Sequence, residues 1–108
     1  MLEPLLGSPL KEQLLYFLML QGEGYPSGLA RSLGRRLFPI QDQLRKLEEG
    51  GIVVSRLKGR TRVYSLNPRY AFLKELLPLL LKAYEYLPKK EKEVFKERTR
   101  PRKGGKAL

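Results

Sequence analysis

The residues from Tyr25 to Leu66 constrain this chain more than any other stretch, because glycines cut them into segments of different periodicity. The first segment, Ser27 to Leu33, turns Leu29 and Leu33 inward at helical spacing. Gly34 follows where a connecting turn needs a residue tolerant of positive φ. A second helical segment runs from about Phe38 to Glu49, with Ile40, Leu44 and Leu47 on one face. Pro39 suits its first turn, where the missing N–H would be unpaired anyway. Gly50 and Gly51 stop this helix, and two β-rich runs, Ile52 to Lys58 and Thr61 to Leu66, flank a Gly59-Arg60 turn.

Helix, tight turn, helix and basic hairpin in that order predict a winged helix-turn-helix. The fold class is mainly α with a small β-hairpin (α+β), with an additional C-terminal helix. Such an arrangement places one helix in a DNA major groove and a ribbon beside it. Away from the Ile40–Leu44–Leu47 stripe lie Phe38, Gln41, Asp42, Arg45 and Lys46, the candidate reading face. Arg35 and Arg36 fall in the turn, where phosphate contact is expected. Arg56, Lys58, Arg60 and Arg62 surround the hairpin tip, and cations so crowded repel one another unless an anion is present. Alternation puts Ile52, Val54, Arg56 and Lys58 on one face of the first run and Val53, Ser55 and Leu57 on the other. The register of the second run stays open, with Val63 or Tyr64 as its anchor.

The charge supports a polyanionic partner. Of 22 Lys and Arg against 11 Asp and Glu, eight basic and three acidic residues lie between Arg35 and Arg62, a net +5 on the motif. There is no Cys and no His, so disulfides, thiolate metal sites and histidine catalysis are excluded, and no cofactor is implied. The start of the chain lacks the pattern of a signal peptide, and no apolar run is long enough to span a membrane. The chain reads as cytoplasmic, with no membrane partner. No nucleophile–base pair or phosphate-cradling loop is visible, so an enzyme is not expected.

Before the motif, Ser8-Pro9 is a cap followed by a first-turn proline, and a helix should run to about Leu20 or Gln21. Its apolar residues, Leu10, Leu14, Phe17 and Leu18 with Leu15 and Met19, occupy more than one face, as on a helix buried on several sides. After the motif, Asn67-Pro68 repeats the cap-then-proline start, and a helix is expected from about Arg69 to Leu87 with a kink or break at Pro78. This helix holds more leucine than a small domain can cover. Its stripe (Leu73, Leu76, Leu77, Leu80 and Tyr84), together with Leu5 and Leu6, is the candidate interface of a homodimer. Residues 1–87 are thus read as the winged-helix domain with its dimerisation helix. Residues 88–108 are read as a basic tail, extending as a charged helix to about Arg98 and disordered from Thr99.

The run SPLKEQLLYFLMLQGEGYPSGLARSLG, followed by QDQLRKLEEGGIVVSRLKGRTRVYSLNPRY, resembles the ArsR-type winged-helix regulators of prokaryotes over about residues 8–87. The most specific part is LRKLEEGGIV followed by a wing carrying Arg56, Gly59, Arg60, Tyr64 and Leu66. The resemblance implies a homodimer that binds palindromic operators as a repressor, with base-edge contacts from Phe38, Gln41, Asp42 and Arg45. Metal-sensing members carry paired cysteines near the first motif helix; here Tyr25-Pro26-Ser27-Gly28 stands in their place, and the inducer is unknown. Phe38 and Pro39 stand where small polar residues are usual in that family.

The function expected is sequence-specific binding of double-stranded DNA by a homodimeric transcription regulator. The alternatives are a winged helix that binds a protein partner through its leucine-rich helix, and a nonspecific nucleic-acid-binding protein that depends on its basic tail.

Overall fold

In the computed structural model, residues 1–96 are described. The expected disorder from Thr99 lies outside them. The elements are helices α1 (Glu3–Leu6), α2 (Pro9–Gln21), α3 (Pro26–Leu33) and α4 (Leu37–Glu49), strands β1 (Val53–Lys58) and β2 (Thr61–Leu66), and helices α5 (Leu73–Glu85) and α6 (Lys89–Lys96). The motif helices and the wing therefore lie where the glycine punctuation puts them.

Helix α2 is the centre of the fold. Ser8 caps it, its hydroxyl accepting from the Lys11 N–H at 3.1 Å, with Pro9 in the first turn. Leu10, Leu14, Leu15, Tyr16, Phe17 and Leu18 are all buried, so the helix is covered on several sides, as its two apolar stripes require. Ile40, Leu44 and Leu47 of α4 are at most 2 % exposed and join the same core with Leu29 of α3. Gly34 ends α3 at φ 65, donating to the Ala30 and Arg31 carbonyls, a conformation that would strain a side chain. The start of α3 differs from expectation: Tyr25 occupies the cap without a side-chain capping bond and Ser27 lies inside the helix, because Pro26 already fits its first turn.

The hairpin pairs Val53 with Leu66 and Lys58 with Thr61, antiparallel. Gly59 at φ 64, followed by Arg60 at ordinary φ, matches a two-residue loop with glycine first. The register puts Val53, Ser55 and Leu57 on one face with Leu66, Tyr64 and Arg62. Val63 and Tyr64, on opposite faces, are both buried, so both anchor the wing. A third pairing comes from the loop after α2: Gly24 and Tyr64 exchange backbone hydrogen bonds of 2.9 and 2.8 Å. A β-carbon on Gly24 would lie 3.1 Å from the Leu29 side chain and 3.2 Å from the Phe17 ring, so any larger residue here would press on both.

The C-terminal third departs from the sequence reading in three ways. Asn67-Pro68 makes a turn, not a helix start. The Asn67 side chain accepts from the Arg69 N–H and donates to the Gly51 carbonyl, both at 2.9 Å, and α5 begins only at Leu73. Helix α5 then runs unbroken through Pro78. The packed domain also does not stop at Leu87. Helix α6 lies on α2, and Phe95 is buried in an edge-to-face cluster with Tyr16 and Tyr84, at ring separations of 5.6 and 6.0 Å. The Gln21 side-chain amide donates to the Phe95 carbonyl, and Lys92 stands 5.6 Å over the Tyr84 ring.

Candidate nucleic-acid interface

Burying the Ile40–Leu44–Leu47 stripe forces the rest of α4 outward. Phe38, Gln41, Arg45 and Lys46 are exposed and Asp42 is half-buried. Arg36 caps α4 in extended conformation and Arg35 precedes it; both are exposed. Arg35 is steadied by a 3.1 Å hydrogen bond to the Gln13 side-chain oxygen of α2. Arg56, Lys58, Arg60 and Arg62 are all exposed on the wing. Arg56 and Lys58 point from one face of the ribbon and Arg62 from the other, as the register dictates.

Half of these eight cations are already engaged by acids. Arg45 spans Asp42 at 2.7 Å and Glu49 at 2.9 Å along its own helix, and Lys46 reaches Asp42 at 3.4 Å. The Arg45 hydrogen bond, with Lys46 beside it, holds the Asp42 carboxyl below the usual aspartate range. Across the wing, Glu23 takes Lys58 at 2.8 Å and Arg56 at 3.1 Å, and these contacts, Lys58 first, depress its pKa. Arg62 donates to the Ser55 hydroxyl at 3.0 Å, which donates in turn to Glu48 at 2.8 Å. Arg60, at the tip, makes no hydrogen bond or ion pair among the described residues.

Sequence reasoning missed Glu23, Gln13 and the Ser55–Glu48 relay. The Asp42–Arg45–Glu49 spacing signals the α4 pairs at i,i+3 and i,i+4. Glu23 lies 33 and 35 residues from its partners and carries no such local signal.

The apolar interface candidates divide. Leu80 is fully buried and Tyr84 is 7 % exposed within the core, so neither is free to meet a second subunit. Leu6, Leu73, Leu76 and Leu77 are half-buried, and Leu5 is exposed. The outward apolar surface of α5 is instead Leu79 and Leu81, with Phe72 just before the helix and Tyr86 just after it. A helical stripe shows that a face is apolar, not what covers it; here α5 packs against α2, with Leu76, Leu80 and Tyr84 of the stripe in the core.

No family profile matches the chain, and no curated protein sequence matches it significantly. Solved structures are similar in shape. Two mutants of ZitR from Lactococcus lactis superpose with TM-scores of 0.55 and 0.54, at 16 % and 15 % identity, each over 91 % of this chain and 74 % of theirs. The adhesin competence repressor AdcR from Streptococcus pyogenes gives a TM-score of 0.52 at 14 % identity, over 83 % of this chain and 75 % of its own. At these identities the likeness establishes the fold, and the fold is a winged helix.

Proposed function

We propose that this chain is a sequence-specific double-stranded DNA-binding protein, a prokaryotic transcription regulator of the ArsR kind that represses as a homodimer in the cytoplasm. The observation that carries the reading is the combination of three exposed features within one helix-turn-helix and wing. These are the exposed face of α4, Arg35 and Arg36 at its start, and four wing cations around a two-residue turn. A recognition helix with a basic ribbon beside it suits a major groove and its flanking phosphates. The reading is of a binding protein, not an enzyme, and it requires no cofactor. AdcR, described as a repressor, shares the fold. The test is a fluorescence anisotropy titration with duplexes selected from a random pool, repeated on scrambled duplexes and at several salt concentrations. The selected duplex should bind more tightly, with affinity falling steeply as salt rises. Equal binding of both duplexes would favour the nonspecific alternative.

For the dimer, the surface proposed is Phe72, Leu79 and Leu81, exposed to 62 %, 39 % and 48 %. Light scattering at micromolar concentration should give twice the chain mass, and Phe72→Glu with Leu81→Glu should give a folded monomer. The same patch favours a second reading, a winged helix that docks a protein through α5. In that case the double variant would lose the partner while duplex affinity stayed unchanged.

A further inference from the structure

The reading face of α4 joins a cation that is already paired and a ring that has no aromatic or core partner among the described residues. Arg45, the natural guanine reader, has its guanidinium bridged to carboxylates on both sides, Asp42 and Glu49. Phe38 is the reverse: the residue is 73 % exposed, joins no aromatic pair among the described residues and is not packed on the core. It occupies the first turn of α4, the part of a recognition helix that reaches base edges. Arg45 lies seven residues further on, about 10 Å along the axis. Gln41, one turn after Phe38, is exposed on the same side. An apolar ring presented to the major groove has one apolar feature to meet there, the 5-methyl group of thymine. Arg35 and Arg36, exposed just before it, supply the phosphate contacts that would hold the ring against the base edges.

We propose that Phe38 is a specificity-determining residue of α4 and that it reads thymine through the 5-methyl group. This rests on the DNA-binding reading above. The preferred duplex then carries thymine at the position facing the first turn of α4, and Gln41 is placed for a neighbouring adenine edge.

The experiment uses the full chain, duplexes selected from a random pool, and the same duplexes with each thymine replaced in turn by uracil, which removes only the methyl group. At one position, uracil should weaken wild-type binding about three- to fivefold, the worth of one buried methyl group. Phe38→Ala should bind thymine and uracil duplexes alike at that position, and its melting temperature should stay near wild type because the ring is exposed. A wild type that binds no duplex selectively would overturn the DNA-binding reading itself. Selective binding that ignores uracil at every position would overturn this inference alone; so would a uracil penalty that survives in Phe38→Ala. Selective binding with a bend that depends on Phe38 but not on the methyl group would mark the ring as a wedge between base steps, and would equally overturn it.

Discussion

The two sides of this molecule use their side chains in opposite ways. Around α2, α5 and α6 the rings of Tyr16, Tyr84 and Phe95 close on one another. The one buried acid among the described residues, Glu12, is held there by the Tyr16 hydroxyl and by the terminal ammonium at 3.3 Å. Along α4 and the wing, charged groups stand in water, paired across short distances by Asp42, Glu49 and Glu23. Burial makes the first set costly to disturb, whereas solvent screening makes the second cheap to rearrange. An exposed pair exchanges a carboxylate for a phosphate at little cost to the fold. On the proposed reading, the difference teaches that stability and binding are carried by separate residues and should fail separately.

The largest effect is expected on the buried side. Phe95→Ala should lower unfolding free energy by about 3–5 kcal/mol in urea melts, and duplex affinity measured well below the melt should not change. If stability were untouched, the docking of α6 on the core would be wrong. Next, Tyr16→Phe removes the hydroxyl from a buried carboxylate and should cost about 1–3 kcal/mol at neutral pH. Burial opposes the charge of Glu12, but the Tyr16 hydroxyl, the Leu2 backbone N–H and the terminal ammonium hold its pKa below the ordinary value. A carboxyl held this way adds stability above its unfolded-state pKa and loses it as pH falls through the depressed folded value. The gap between Tyr16→Phe and wild type should therefore narrow in acid; a constant gap would reduce the hydroxyl to packing.

On the charged side the effects should appear in binding and not in melting. Arg60→Ala should leave the melt within about 0.5 kcal/mol of wild type. It should weaken all duplexes alike and make the salt slope shallower by about one unit for each phosphate that Arg60 no longer neutralises. A changed sequence preference would contradict its assignment to phosphate. The smallest change is expected from Glu23→Gln. Removing its exposed pairs should cost under about 1 kcal/mol of stability, while the release of Arg56 and Lys58 should tighten binding a few-fold. Weaker binding would mean that Glu23 aims the wing cations at phosphate and does not compete with it.

The same contrast explains how far the sequence could be read. Gly34, the Ile40–Leu44–Leu47 stripe and the Gly59-Arg60 turn are local patterns, and each defines its element through spacing or backbone conformation alone. The exposed face of α4 follows from that stripe, so Phe38, Gln41 and Arg45 were legible as a set. Their availability was not, because it depends on partners that the spacing allows without requiring. Asn67 shows a further ambiguity: its side chain can cap a helix or hold a turn, and the Gly51 carbonyl, 16 residues away, favours the turn. Helix α6 was legible as a helix but not as part of the core. Val94 and Phe95 are two apolar residues in a charged run, and only the space beside Tyr16 and Tyr84 gives them a place.

The separation of the two sides is tested most directly by following backbone amide signals of the labelled protein by NMR while a selected duplex is added. The account predicts perturbations concentrated in residues 35–46 and 56–62, with the amides of Tyr16, Leu80 and Phe95 nearly unmoved. Perturbations concentrated at Phe72, Leu79 and Leu81, with α4 and the wing silent, would contradict it.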